Sequence, residues 1–301
     1  MYQPVLEIKG LEKTYPGRHG TKANAGIDLT VNPGEVVGLL GHNGAGKTTL
    51  ANQIVGILKP DSGTIHVSNH DVIAHPNIAR RLVSVQAQAN VPITGLTPRK
   101  AIELVGRIRG LSKKEATNRS TELIEALDMG AWASKPAQAI SGGVARLAAF
   151  GMAAAAPGNL VILDEPTNDV DPVRRRLLWA EIRKLADQGA GVLLITHNVV
   201  EAEHAVDSLV VLDSGKVIAR GTPTELAEPT RGTLSLTMNG LDCEPEDSMI
   251  VLSRTDTEVV VRVSDTDATD AIAWASCHAE RFSLTPATLE DIYISLVEVA
   301  A

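Results

Sequence analysis

The sequence predicts an α/β fold with a helical insertion, followed by a small α+β domain. Three observations predict it. A glycine-rich loop, Gly41-His42-Asn43-Gly44-Ala45-Gly46-Lys47-Thr48-Thr49, lies between an apolar strand at 36–40 and a helical pattern starting near Thr48. The run at 160–163 is wholly apolar and ends in Asp164-Glu165, which suits a parallel strand buried on both faces. Strands alternate with helical patterns over the first two thirds of the chain, the order of an α/β sheet.

The elements follow in order. Residues 5–8 and 27–31 read as short strands, and Asn32-Pro33-Gly34 turns the chain into the strand before the glycine loop. Lys59-Pro60-Asp61-Ser62-Gly63 turns into a strand at 64–67. From Thr97 to about Ala156 the pattern is helical. Thr97-Pro98 is a cap with proline at the first helical position, and Ser112 with Glu115 has capping-box spacing. Asp171-Pro172 opens a helix whose apolar face carries Leu178, Ile182 and Leu185, and Gly189 ends it. Strands follow at 191–195 and 209–212. Glu228-Pro229-Thr230-Arg231-Gly232 reads as a linker. Beyond it, 234–238, 249–252 and 259–263 read as strands, and 268–275 and 288–297 as helices. The expected division is 1–228, with a helical subdomain at about 92–158, and 229–301.

Composition narrows the function. The chain has 301 residues, a net charge of −8 and 3% aromatic residues, which argues against nucleic acid as the main partner. Arg174-Arg175-Arg176, the densest basic run, reads as a solvated helix face. Cys243 and Cys277 are the only cysteines and are expected as free thiols. The first ten residues do not suggest a signal peptide. Pro157-Gly158-Asn159 splits the longest apolar region, 147–163, into pieces too short to span a bilayer. A soluble chain is expected, one that reaches a membrane only through another chain.

The glycine loop points to phosphate. Glycines let backbone N–H groups turn inward, and a helix N-terminus adds partial positive charge. Lys47 is expected on the β- and γ-phosphates, Thr48 on Mg²⁺ and Thr49 on the α-phosphate. Asp164 at the strand end can hold Mg²⁺ opposite Thr48, and Glu165 can polarise an attacking water. Acids at a strand end can also serve solubility alone, but a buried strand seldom ends in two without a partner. His66, His70 and His75 could suggest a metal site, but they straddle a strand and a turn, which disfavours it.

Ile140-Ser141-Gly142-Gly143, Asp164-Glu165-Pro166-Thr167, Asn168-Asp169-Val170-Asp171-Pro172 and Thr196-His197 follow the glycine loop in that order. This resembles an ABC transporter ATP-binding subunit, and the resemblance runs from Val5 to about Leu226. It implies an ATP-hydrolysing motor using ATP and Mg²⁺. Tyr15 matches the aromatic that stacks on adenine. Gln88 matches the glutamine that contacts Mg²⁺ and water, with Gln86 as its rival. Ser141, Gly142 and Gly143 match the signature that caps the γ-phosphate of the opposing subunit. His197 matches the switch histidine beside Glu165 and the γ-phosphate. Asp171 matches an aspartate that crosses the dimer interface, and it is also placed to cap a helix.

The resemblance further implies a head-to-tail homodimer, bound through the region 88–110 to a separate integral-membrane permease. Such a chain is cytoplasmic and peripheral on the inner face of the membrane. The segment 283–293 resembles the tail of subunits of drug and antibiotic exporters, so export is expected. An importer subunit, or a weakly hydrolysing regulatory protein, is the alternative. A translation factor of the same family would carry two motor units and a more basic surface. Two departures stand out. Val144 occupies the usual place of glutamine or methionine, and Leu147 stands where an arginine is common, with Arg146 one step before it.

Overall fold

The computed structural model describes residues 3–17, 20–88, 95–197, 205–246, 248–287 and 291. The chain forms two compact units, one of 1–198 with 205–217, the other of 199–204 with 218–301.

In the first unit, β1 (Leu6–Tyr15) pairs antiparallel with β2 (Thr21–Val31). Both strands run farther than the apolar stretches 5–8 and 27–31 suggest. Their extensions carry Glu12 and Lys22, which pair across the strands at 2.8 Å and leave no buried stripe in the sequence. After β3 (Val36–Leu40) the glycine loop leads into α1 (Lys47–Ile54). β4 (Ser62–Val67) and β5 (His70–Asp71) complete a sheet in the order β2-β1-β4-β5. Next come α2 (Pro76–Leu82) and β6 (Val83–Gln86).

The helical insertion holds α3 (Pro98–Ile108), α4 (Lys113–Ala126) and α5 (Gly142–Ala154). The expected caps are present. Thr97 accepts a hydrogen bond from the Lys100 N–H, and Ser112 and Glu115 form a reciprocal capping box. α3 and α5 approach closely at Gly151, where an added Cβ would stand 2.7 Å from the Ile102 side chain.

Then follow β7 (Leu160–Asp164), α6 (Pro172–Asp187), β8 (Gly191–Thr196) and β9 (Ser208–Asp213). The strands β9-β3-β8-β7-β6 lie side by side and parallel. β3, β7 and β8 are buried along their whole length, as their apolar runs require. One apolar cluster, including Leu6, Leu29, Leu50, Ile65 and Leu193, joins the two sheets through α1 and fixes the site between them.

The chain leaves the first unit along β10 (Lys216–Gly221), a strand whose residues are all partly or fully exposed and give no apolar signal. The expected linker at 228–232 is instead structured. A short helix, Pro223–Ala227, carries a Thr222–Glu225 capping box and continues into a 3₁₀ turn, Glu228–Thr230. The second unit contains β11 (Thr233–Asn239), β12 (Ile250–Arg254) and β13 (Glu258–Ser264), then the helix Ala268–His278 and β14 (Arg281–Pro286). Its sheet is antiparallel, in the order β12-β13-β11-β14. Leu236, Met238, Val261 and Ala275 form its core. β14 faces outward along most of its length, which is why alternation did not reveal it. Apart from Asp291, the helix expected at 288–297 falls outside the described residues.

Candidate nucleotide site

The glycine loop closes on its own backbone. Gly44 and Gly46 have φ of 94° and 105°, the left-handed region that only glycine enters cheaply. At Gly46 an added Cβ would lie 2.1 Å from the Ala23 carbonyl oxygen, so no side chain fits there. Gly46 also caps α1 without a side-chain hydrogen bond, which leaves the helix N-terminus to a ligand. Lys47 is buried, and its Nζ donates to the carbonyl oxygens of Gly41 and His42 (3.1 Å for the latter). Burial lowers the Lys47 pKa, against the pull of Glu165 and Asp164. His42 staples the loop to the end of β9. Its Nε2 lies 2.9 Å from Asp213 Oδ1, and its Nδ1 lies 2.8 Å from the Asn43 oxygen.

The carboxylates sit at the end of β7. Asp164 pairs in register with Ile195 of β8, so the next residues of both strands emerge together. Burial first, and the Glu165 charge second, push Asp164 up to about 6, while Lys47 and Arg146 hold it down. Glu165 is buried at a φ of 51°. Its Oε2 accepts from Thr196 Oγ1 at 2.9 Å. Its Oε1 accepts from the His197 backbone N–H at 2.9 Å and lies 2.6 Å from His197 Nδ1. The acid and the histidine are therefore one hydrogen-bonded unit.

A cavity of about 270 Å³ joins these groups. It is lined by Tyr15, most of the glycine loop from His42 to Thr49, Gln88, Asp164 and Glu165. Tyr15 is partly exposed, with its hydroxyl 3.4 Å from Thr49 Oγ1. Gln88 lines the cavity and Gln86 does not. Gln86 is buried at the end of β6, where its Nε2 donates to the Arg146 carbonyl at 3.3 Å. The donor set fits a magnesium polyphosphate. Thr48, Gln88 and Asp164 offer hard oxygen atoms, and Asp164 is a buried carboxylate whose charge lacks full compensation. The Lys47 ammonium and the helix N-terminus, which has no side-chain cap, are suited to anionic oxygens.

The signature segment stands apart. Ser141 caps α5, accepting weakly from the Val144 N–H at 3.4 Å, and Gly142 is exposed beside it. At Gly143 an added Cβ would lie 2.2 Å from the Asp169 oxygen, so glycine is required by the turn after β7. None of the three lines the cavity. Asp171 is the N-cap of α6, accepting from the N–H groups of Val173 and Arg174 at 3.2 and 3.1 Å, and it too lies outside the cavity. His66, His70 and His75 form no metal-ligating group among the described residues.

Arg146 is a residue beside the site that the motifs did not place there. Its Nη1 donates to the Ala87 carbonyl at 3.1 Å, next to Gln88, and its charge acts on Asp164. With the return bond from Gln86, it ties α5 to the segment carrying Gln88. The signal was an arginine one step off its usual place.

A family model described as "ABC transporter" matches residues 25–168. The daunorubicin/doxorubicin resistance ATP-binding protein of Streptomyces peucetius is 39% identical over 73% of this chain, and the match spans 66% of that protein's length. The Nod factor export ATP-binding protein I of Cupriavidus metallidurans is 32% identical over 97% of both chains. Among solved structures, an ATP-binding subunit of an ABC transporter is 29% identical with a TM-score of 0.69, covering 75% of this chain and 92% of that one.

Proposed function

This chain belongs to the ABC transporter ATP-binding family, an ATPase family, and we propose that it is the motor subunit of a membrane exporter. One observation carries the reading. A single chain gathers the phosphate loop, Asp164 and Glu165 at one cavity, with His197 bonded to Glu165, yet leaves Ser141, Gly142 and Gly143 outside it. A second copy, turned head to tail, would supply that missing signature, so two ATP molecules would be held between two copies. Their relatives' roles in drug resistance and Nod factor export support export over import.

The residues divide the work. Tyr15 offers a ring to the adenine, and the loop N–H groups with Lys47 bind the phosphates. When bound, Mg²⁺ neutralises phosphate charge, and Thr48, Gln88 and Asp164 would hold it. Glu165 accepts a hydrogen bond from the attacking water and orients it, while His197 keeps the carboxylate in place. Losing the γ-phosphate removes the contacts that hold two copies together.

No described helix is long and apolar enough to cross a membrane. In this reading a separate permease supplies the membrane path, and the chain works on the inner face of the membrane. We assign 1–228 to the ATPase domain and 229–301 to an accessory domain.

Glu165→Gln tests the reading. Turnover should fall by at least ~10²-fold, the usual contribution of a general base, with ATP still bound. Gel filtration with ATP should then show a stable dimer. Phosphate release at the wild-type rate, or a monomer under all nucleotide conditions, would remove Glu165 from its role or the dimer from the mechanism.

A further inference from the structure

The second unit carries a side-chain cluster that the ATPase cycle does not use. Asp242 and Cys243 follow β11, and His278 ends the helix Ala268–His278. Their ligand atoms all lie within 4.8 Å of one another, and among the described residues no other group of histidine, cysteine and acidic side chains is so placed. Backbone as well as side chains set this geometry. The Asp242 N–H donates to the His278 carbonyl at 3.1 Å, which locks the loop to the helix end. His278 Nδ1 lies 3.0 Å from Asp242 Oδ1, and the Trp274 ring, one turn earlier, rests 4.8 Å from the imidazole.

We propose that Asp242, Cys243 and His278 form a binding site for a borderline-soft divalent cation of the zinc class. One sulfur, one imidazole nitrogen and one carboxylate oxygen are the mixed donors that such ions prefer, and hard Mg²⁺ does not take thiolate. Three protein ligands leave a fourth tetrahedral position to water. The surroundings are negative and ask for a cation. Asp242 lies beside the Cys243 thiol, and Glu244 follows it in the chain. Binding displaces the thiol proton to solvent as the sulfur–metal bond forms, and the imidazole coordinates through Nδ1 with its proton on Nε2. No oxidation is involved. A bound ion would pin the loop after β11 to the end of the helix. All three side chains are at least partly exposed, so they can close on an ion without repacking the core.

The test uses the full chain without nucleotide, titrated with Zn²⁺ alone and, in parallel, Co²⁺ alone. The cobalt form should show a thiolate-to-metal charge-transfer band at one ion per chain. The nucleotide cavity cannot produce that band, because both cysteines lie outside it. Cys243→Ser should abolish the band, and His278→Ala should weaken binding by about tenfold or more. Cys277→Ser, a change in the neighbouring exposed thiol, should leave the band unchanged. Zn²⁺ should raise the melting temperature of the wild type but not of Cys243→Ser. Circular dichroism confirms that each variant is folded. Absence of the band in wild type overturns the proposal, as does its survival in Cys243→Ser or its loss in Cys277→Ser alone.

Discussion

Two helix N-termini in the first unit carry glycines, and they are built for opposite conditions. At α1 the cap residue is Gly46, which has no side chain to offer, and the buried Lys47 leans back on the loop carbonyls. At α5 the cap residue is Ser141, whose hydroxyl already takes the Val144 N–H. The first end is a complete anion receptor within one chain. The second is folded, capped and exposed at Ser141 and Gly142. The contrast teaches where nucleotide affinity and turnover should separate. In the proposed head-to-tail dimer, affinity belongs to the α1 end and can be measured on one chain, and turnover needs the α5 end of another.

The largest effect should come from Gly46→Ala. The backbone there has φ of 105°, and the new Cβ would meet the Ala23 oxygen at 2.1 Å. Backbone strain costs about 1–3 kcal/mol before any clash is counted. Nucleotide binding should be lost in calorimetry. Gly44→Ala is the control, since its added Cβ meets nothing within 4 Å. Equal losses in the two variants would mean that backbone conformation alone, not the close approach to Ala23, sets the loop.

Ser141→Ala should do the reverse. Removing the cap costs about 1 kcal/mol of stability, but nucleotide affinity of the isolated chain should stay at the wild-type level. Turnover should fall by ~10²-fold, as for loss of one preorganised donor to a developing anion. Weakened ATP binding with unchanged turnover per bound ATP would erase the division between the two ends.

Arg146→Met sharpens the comparison, because Arg146 joins the two ends. It holds the Ala87 carbonyl, receives Gln86 at its own backbone and acts on Asp164. Breaking this link should lower kcat by about tenfold with little change in nucleotide affinity, and because Ala87 is exposed the lost hydrogen bond should cost only about 1 kcal/mol of stability. A fall in affinity that matches the fall in kcat would place Arg146 in binding rather than in coupling.

The two ends were also unequally legible in the sequence. The glycine loop announces itself, because Gly41, Gly46, Lys47 and Thr48 stand at the spacing a phosphate loop demands and the flanking strand carries no polar side chain. The choice between Gln86 and Gln88 was open in the sequence, because residues two apart share a strand face, and it turns on where β6 stops. β6 ends at Gln86 with its side chain buried toward α5, and Gln88 then opens onto the cavity. Asp213, the partner of His42, carries no local signal because it is 171 residues away. Arg146 carried a signal only as a misplacement, and what it touches depends on how α5 meets β6. β10 and β14 escaped for a related reason. Strands that bury little of either face show no period in their apolar residues.

The smallest expected effect is the one that shows the α1 end waiting for its ligand. In the nucleotide-free chain, burial and Glu165 raise Asp164 from 3.8 to about 6. Between those values the folded chain holds more protons than the unfolded one, so stability falls as pH rises through the window. Above it the full penalty remains, on the order of 2 kcal/mol at this shift after discounting for partial solvation. Asp164→Asn removes the titrating charge. Without nucleotide, the variant should therefore melt higher than wild type near pH ~7.5, and the difference should shrink below about pH 4, where the carboxyl is protonated in both states. Mg²⁺ and nucleotide should invert the order, because a cation favours the charged carboxylate that only the wild type has. Scanning calorimetry on four samples, each protein with and without ligand, settles it. An Asn variant that melts lower than wild type in the free state would mean that Lys47 and Arg146 already balance the charge, and that the α1 end is as self-contained as α5.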